Sequence, residues 1–325
     1  MRRTPSARRV APHPGTPPPG EGLIVGAVPR GARITGVLLV LAALAGAAAP
    51  FPTYLVVGGE ELSSANGLGS ALIALLVPAV HLAVGVVLLR GAVPKFGLAY
   101  AGVTGTLGVG LLMIELYRGS SSTARPGIEV LAGERVLTSG VEAGPGWVLG
   151  VVALALTVLA GVAAIASWGR TVMVDGGALD PVRSGLAGAA VLLGVATVLA
   201  LSLPAADVPD RLVTDPTTGL QTVVTQEGPQ ALLERPGLAL MGGLLLAGAV
   251  VLCSVVAPSL RPRLAAVGGL LAVAVTVLVA ALTGLRDAAA SDELEWTVPG
   301  AGLLVTGLGY AVLTALAWRL RRGRS

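Results

Sequence analysis

The chain has little of what builds a disulfide-bonded, metal-binding or soluble protein. Its one cysteine, Cys253, excludes an intramolecular disulfide and a cysteine metal cluster. Its two histidines, His13 and His81, are far apart in the sequence, and we expect neither a histidine metal site nor a cofactor. Aromatic residues make up 3% of the chain and charged residues 12%, against the roughly 25% charged residues of soluble domains. These shortages point away from a soluble enzyme.

Long apolar runs take the place of the missing polar residues. Eight runs exceed the 10–14 residues of a buried soluble helix and reach the roughly 20 residues that cross a bilayer. They are continuous instead of alternating, which argues against strands of a membrane barrel. We predict an all-α polytopic integral membrane protein with about eight transmembrane helices, at Ile34–Val57, Leu68–Leu89, Phe96–Tyr117, Trp147–Trp168, Ser184–Pro204, Leu238–Pro258, Leu264–Leu285 and Pro299–Trp318.

The charges between these runs alternate in sign along the chain. Of the nine hydrophilic segments, the odd-numbered ones hold sixteen of the 22 Lys and Arg residues, and the even-numbered ones hold fifteen of the 18 Asp and Glu residues. Positively charged loops stay in the cytoplasm, so we predict cytoplasmic termini and acidic external loops. The sequence pI near 9.8 then reflects basic clusters beside anionic lipid headgroups, and the lipid bilayer, not nucleic acid, is the expected partner. The few aromatic residues and the Ala-, Gly- and Val-rich spans resemble membrane proteins from GC-rich bacterial genomes, and we predict a bacterial plasma-membrane location.

Three regions follow from this pattern. Residues 1–33 are basic and proline-rich and are predicted to form a disordered cytoplasmic tail. Residues 34–318 form the eight-span bundle, with long external loops at residues 118–146 and 205–237, and residues 319–325 form a basic cytoplasmic tail. Each long loop mixes β-branched residues with glycine, which is compatible with a short hairpin, an amphipathic segment on the membrane or a plain linking loop.

An internal repeat is suggested by the starts of the inward spans. Three of them begin with Pro-Gly, at residues 145, 236 and 299, and span two begins with Asn-Gly at residue 66. Proline suits a first helical turn because its missing N–H would have no partner there. The sequence is therefore compatible with four repeated helical hairpins in one orientation, although Pro-Gly is also a common start of unrelated helices.

Small residues recur every four positions on several spans. Span seven carries a stripe at Gly268, Ala272, Thr276, Ala280 and Gly284, and shorter stripes lie on span three at Gly102, Thr106 and Gly110 and on span four at Ala153, Thr157 and Gly161. Lipid tails provide no hydrophobic drive between helices, so small residues that let backbones approach act as the adhesive. We predict that the stripe on span seven packs against other helices, in this chain or in a partner.

His81 is the ionisable residue deepest within a predicted span. Intramembrane ionisable groups are candidates for functional sites, and a proton relay or a ligand contact is one hypothesis here. The alternative is a neutral imidazole bonded to a backbone carbonyl that Pro78 frees. Near the outer end of span three, Glu115 is expected to pair with Arg118 or to reach the membrane surface.

No motif of enzyme chemistry occurs in the sequence. There is no phosphate loop, no H-E-x-x-H, no C-x-x-C and no G-x-S-x-G. Asp175 and Asp180 are the acidic residues of the predicted inner loops between spans, and they suggest a weak magnesium and lipid-phosphate site or, alternatively, a turn and a helix cap. We predict that the protein is not an enzyme.

Three function classes remain after these exclusions. The first is a non-enzymatic accessory, scaffold or envelope-assembly protein that acts through helix faces and acidic external loops, with other membrane proteins as partners. The second is a transporter or permease subunit for a lipid or an apolar solute, because eight spans in repeats fit that class. The third, a membrane-embedded lipid-modifying enzyme, depends on Asp175 and Asp180 alone. The first class is our prediction.

Overall fold

Eight long helices make up most of the chain in the computed structural model. It describes residues 23–57, 59–63, 65, 67–119, 128–131, 134–137, 141–175, 180–208, 211–214, 221–224, 231–232, 237–290 and 294–319. The helices are α1 (Arg30–Ala48), α2 (Leu68–Arg90), α3 (Pro94–Arg118), α4 (Pro145–Trp168), α5 (Asp180–Leu201), α6 (Gly237–Ser259), α7 (Arg263–Ala290) and α8 (Val298–Arg319). All eight are long and apolar enough to cross a membrane, so the prediction of an all-α chain with eight helices of membrane-spanning length is confirmed.

The first span differs from its prediction at both ends. The predicted span continued to Val57, but α1 ends at Ala48 and residues 55–57 form a strand. Proline at positions 50 and 52 explains the stop, because proline lacks the N–H that a helix needs and clashes with the preceding turn. At the other end, α1 begins at Arg30, directly after Pro29 in extended conformation. Within the predicted disordered tail, residues 23–25 form a strand and residues 30–33 are helical, and residues 1–22 lie outside the described residues.

Short strands connect the helix ends in antiparallel pairs. They are β1 (Leu23–Val25), β2 (Leu55–Val57), β3 (Glu60–Leu62), β4 (Ile128–Leu131), β5 (Glu134–Leu137), β6 (Val141–Ala143), β7 (Met173–Asp175), β8 (Ala206–Asp207), β9 (Arg211–Thr214), β10 (Gln221–Val224) and β11 (Glu295–Trp296). The sheets are β3-β2-β6, β1-β7, β8-β11, β4-β5 and β9-β10. The last two are hairpins within the two long loops, so the described part of each loop is folded.

The strands divide between the two ends of the helix bundle. We call the end where α2 passes into α3 the basic end, because Arg90, Lys95, Arg170 and Arg261 lie at helix termini there. The opposite end, where α1 passes into α2, is called the acidic end. Only the β1-β7 pair among the described strands lies at the basic end, where it joins the segment before α1 to the segment before α5. The other described sheets lie at the acidic end.

Helix packing follows the same order in each half of the chain. In residues 30–168, α1 packs on α2 and α4, and α4 packs on α3; in residues 180–319, α5 packs on α6 and α8, and α8 packs on α7. The halves meet where α3 packs on α6 and α7, and where α2 packs on α7. The acidic end shows the same correspondence, because β2 pairs with β6 in the first half and β8 pairs with β11 in the second.

The central helices α3 and α7 hold most of the core. In α7 the membrane-length segment is 72% buried, and in α3 it is 67% buried, whereas α4 and α5 present most of their surface outward. Glycines permit the close contacts of α3. A Cβ on Gly105 would lie 2.6 Å from the Gly161 Cα of α4, and a Cβ on Gly110 would lie 2.6 Å from the Gly242 carbonyl of α6. Backbone therefore packs on backbone both within the first half and between the halves.

Candidate functional site

His81 lies in a buried polar network between α2, α3 and α4. Its side chain is 4% exposed. The Nδ1 atom lies 3.0 Å from the Val77 carbonyl oxygen and 3.1 Å from the Tyr100 hydroxyl, and the Nε2 atom lies 3.5 Å from the Thr157 hydroxyl. The imidazole and the Tyr100 ring meet edge to face, with their centres 5.5 Å apart. Three helices are thereby joined through one imidazole.

The contact with Val77 fixes the protonation of the neutral ring. A carbonyl oxygen only accepts hydrogen bonds, so the proton is on Nδ1 and is directed at the Val77 oxygen. The Thr157 hydroxyl donates to the Ala153 carbonyl at 2.8 Å, which leaves its oxygen beside Nε2. The carbonyl that Pro78 frees is that of Ala74, four residues earlier. The predicted backbone bond exists, but its acceptor is Val77, one turn before His81.

A second buried network joins α5, α6 and α8. The hydroxyl oxygens of Ser254 and Tyr310 are 2.6 Å apart, and the Tyr310 hydroxyl donates to the Ala190 carbonyl at 3.1 Å. Both side chains are fully buried. Gly194 of α5 makes room for them, because a Cβ there would lie 2.5 Å from the Ser254 hydroxyl oxygen. The second half of the chain thus has its own polar connection between three helices.

Other hydroxyl groups within the helices bond to their own backbone. Threonine and serine side chains donate to the carbonyl three or four residues earlier, as Thr106 does to Gly102 at 2.8 Å and Thr276 does to Ala272 at 2.9 Å. Thr35, Thr104, Ser167, Thr197, Thr306 and Thr314 do the same. A donor used in this way is satisfied without a ligand or water. The donor of each of these hydroxyls is therefore already used and is not available to bind a solute.

A third polar cluster lies at the acidic end, around Glu115. Its carboxylate accepts a hydrogen bond from the Tyr54 hydroxyl at 2.5 Å and lies 3.5 Å from the Arg118 guanidinium, and its backbone carbonyl accepts from the Trp147 indole at 2.8 Å. Burial raises the pKa of Tyr54 above its ordinary value, and the negative charge of Glu115 raises this pKa further. The expected pairing of Glu115 with Arg118 occurs within α3, and the hydrogen bond from Tyr54 to Glu115 ties the loop after α1 to α3.

Exposed acidic residues share a sheet face on the strands of the acidic end. Glu295 of β11 is directly opposite Asp207 of β8. In the three-stranded sheet, Glu61 and Glu142 are both paired with Val56, one on each side of it. All four acidic residues are exposed, and residues opposite one another in a sheet point to the same face. Each half of the chain therefore presents two carboxylates on one face of a sheet.

The small-residue stripe of α7 contacts more than one element. A Cβ on Gly268 would lie 2.2 Å from the Phe96 carbonyl of α3, and a Cβ on Gly284 would lie 3.0 Å from the Ala205 Cβ, just before β8. Ala272 is fully buried, whereas Thr276 and Ala280 are partly exposed. The stripe does not form a single seam, because its two ends lie against different parts of the chain.

The weak magnesium hypothesis is not strengthened by the structure. Asp175 lies in β7 opposite Leu23, and the side chain of Asp180 is outside the described residues. Within the described part of the chain, no group of three or more His, Cys, Asp and Glu side chains is placed to hold a metal ion.

Sequence reasoning missed the tyrosines of these networks. Tyr100 and Tyr310 are fully buried within α3 and α8, where a phenol needs a hydrogen-bond partner. The available signal was a tyrosine inside a predicted span, since membrane proteins normally keep tyrosine near the bilayer surface. Comparison of the chain with known protein families, with curated proteins and with solved structures gave no match.

Proposed function

We propose that the protein is a non-enzymatic accessory component of a membrane assembly, and that it binds a basic segment of a partner at its acidic end. The observation that carries the proposal is the placement of like charges on exposed strand pairs. Glu295 and Asp207 occupy directly opposite positions in the β8-β11 pair, and like charges at opposite positions destabilise a sheet. A basic partner would relieve this repulsion, so the acidic end combines a local cost in stability with a surface suited to binding.

The interior of the bundle supports an accessory role over solute transport. Transport sites are built from polar groups near the membrane midplane that a solute can reach. Here the Nδ1–H of His81 donates to the Val77 carbonyl and lies beside the Tyr100 hydroxyl, and the hydroxyls of Ser254 and Tyr310 are bonded to each other. A polar group that is satisfied by its neighbours joins helices, and such bonds stabilise membrane bundles by roughly 1 kcal/mol each.

The proposed topology places the acidic end outside the cell and both termini in the cytoplasm. Arg30 and Arg319 lie at the start of α1 and the end of α8, at the same end of the bundle as Arg90, Lys95 and Arg170. Lys and Arg are retained on the cytoplasmic side during insertion. A bacterial plasma membrane is the corresponding location, and there the acidic sheets would face the envelope.

Cysteine labelling of intact cells tests this topology. Cys253 is 4% exposed and is replaced by alanine; a new cysteine is then placed at exposed Glu142 or at exposed Arg170. We expect a membrane-impermeant maleimide to label Glu142→Cys in intact cells and Arg170→Cys only after permeabilisation. The reverse order of labelling would overturn the topology. Labelling of both in sealed cells would show that the chain is not inserted as eight spans.

Charge-dependent copurification tests the partner proposal. The tagged protein is extracted with its surrounding lipid, and the polypeptides that copurify are identified by mass spectrometry. We expect the same partner in every preparation of wild-type protein and its loss from Asp207→Asn/Glu295→Gln. The same variant should be at least as stable as wild type to thermal unfolding, because the repulsion between positions 207 and 295 is removed.

The control is a neutralised carboxylate that already has an internal partner. Asp287, at the same end, is paired with the Arg286 guanidinium, so Asp287→Asn should keep the partner. A monomer without any reproducible partner would refute the proposal. Equal loss from both variants would refute the specific role of the paired strands.

The repeating unit that the packing supports is four helices, not one hairpin. The helix contacts and the strand pairs of the acidic end recur between residues 30–168 and residues 180–319. Two Pro-Gly helix starts also correspond: a Cβ on Gly146 would lie 2.8 Å from the Pro52 carbonyl, and a Cβ on Gly300 would lie 2.4 Å from the Ala205 carbonyl. The third, at Gly237, has nothing within 4 Å. We propose two parallel four-helix repeats; the four-hairpin duplication stays a prediction.

A further inference from the structure

A groove of about 390 Å³ runs between α7 and α8 in the half of the bundle nearer the basic end. On α7 it is lined between Val267 and Leu278, and on α8 between Ala311 and Arg319. Eleven residue steps along α7 correspond to about 16 Å, close to the roughly 15 Å depth of one leaflet of the hydrocarbon core. The groove therefore has the length of the apolar half of one lipid layer.

The packing of α7 on α8 explains why the groove is there. A Cβ on Gly307 would lie 3.1 Å from the Leu278 backbone nitrogen, and this close approach is at the end of the groove farther from the basic end. Toward the basic end the lining includes small residues, Ala274 on α7 and Ala311 and Ala315 on α8, beside larger apolar side chains. In the first half, by contrast, α3 and α4 touch at Gly105 and Gly161, and Gly161 lies in the half of α4 nearer the basic end. The same region is thus filled by backbone in one half and left as a groove in the other.

The mouth of the groove has the chemistry of the lipid headgroup region. Trp318, 39% exposed, and Arg319, also exposed, line the groove where α8 ends. Tryptophan favours the boundary between headgroup and acyl chain, and arginine at that level attracts anionic headgroups. Arg263, at the start of α7, adds a buried positive charge at the same end. The apolar lining suits an acyl chain, and the positive mouth suits an anionic headgroup, so one amphiphile matches both.

We propose that this groove binds an anionic phospholipid, with one acyl chain along Ala274, Ala311 and Ala315 and its phosphate beside Arg319. The occupant is a lipid and not a partner helix, because the groove is only one leaflet deep and ends at a basic and aromatic pair. The leaflet assignment rests on the proposed topology; the binding itself does not. The site is also separate from the acidic end, where the proposed partner binds.

Native mass spectrometry of the purified protein, released from nanodiscs, tests this site. The nanodiscs contain equal amounts of phosphatidylglycerol and phosphatidylcholine with identical acyl chains. We expect wild-type protein to retain phosphatidylglycerol preferentially. Arg319→Gln should reduce this preference roughly fivefold, the change expected from removing one basic residue at an anionic surface. Ala315→Phe should reduce retention of both lipids, because the phenyl ring fills the groove.

The matched control places the same residue at the same depth outside the groove. Ala166 is exposed near the end of α4, so Ala166→Phe should retain lipid as wild type does. Equal retention of the two lipids by wild-type protein would overturn the proposal, and so would equal losses from Ala315→Phe and Ala166→Phe. Arg319→Gln leaves the packing of α8 unchanged and keeps the test decisive if the Ala315 variant does not fold. Loss of the partner at the acidic end would leave these results unchanged, so the two proposals fail separately.

Discussion

Alanine in place of Gly105 is expected to separate α3 from α4 and to cause a large loss of stability. The new Cβ would lie 2.6 Å from the Gly161 Cα and 3.1 Å from the Thr157 carbonyl oxygen. Both neighbours are backbone atoms, which cannot rotate away as a side chain can. Overpacking of this kind costs about 1–3 kcal/mol, and here it also displaces Thr157 from the His81 imidazole.

The measurement is the midpoint of unfolding in detergent, compared between Gly105→Ala and Gly102→Ala. Gly102 is on the same helix, and the nearest atom to its Cβ would be 3.9 Å away. Alanine there should leave stability unchanged or raise it slightly, since alanine favours a helix over glycine by about 1 kcal/mol. Similar unfolding midpoints for the two variants would show that α3 and α4 do not meet through Gly105.

Alanine in place of Gly300 is expected to cause a comparable loss of stability at the acidic end. Its Cβ would lie 2.4 Å from the Ala205 carbonyl oxygen and 2.4 Å from the Trp296 indole nitrogen. The same carbonyl accepts a hydrogen bond from the Thr297 N–H at 3.2 Å, which fixes the segment after α5 over the start of α8. We expect a loss of about 2–3 kcal/mol, together with loosening of the β8-β11 pair.

Two further glycines serve as controls for Gly300. Gly302→Ala, two residues along α8, would place its Cβ 3.6 Å from the nearest atom, an ordinary contact, and should have little effect on the unfolding midpoint. Gly237→Ala should cost only about 1 kcal/mol, from its positive φ of 60°. If Gly237→Ala is as damaging as Gly300→Ala, the three Pro-Gly starts are equivalent, and hairpins become the better repeat unit.

The helices could be predicted from the sequence because the signal for each is local. A run of about 20 apolar residues has one stable form in a bilayer, the helix that satisfies its own backbone. The error at Val57 also had a local cause, since Pro50 and Pro52 stop the helix and a wide hydropathy window averages over them. The predicted orientation likewise uses only the charges of the segments beside each span.

The contacts between helices could not be predicted in this way. Of the stripe predicted on α3, Gly110 contacts α6, but Gly102 is open, and the tightest contact to α4 is at Gly105, outside that stripe. The face of a helix that makes contact depends on the angle at which the helix crosses its neighbours. The sequence of one helix, taken alone, does not specify that angle. His81 was recognised as buried, but its partner Tyr100 is on the next helix, 19 residues away.

The pairing of β1 with β7 has a consequence for the order in which the chain is assembled. Leu23–Val25 leaves the ribosome about 150 residues before its partner Met173–Asp175, and domains that are synthesised first generally fold first. The four helices between these strands pack mainly on one another, so they can be inserted and joined before the pair closes. Formation of this small sheet at the basic end would then mark the completion of the first half. From that moment Leu23–Val25 is held beside the start of α5, where the second half begins.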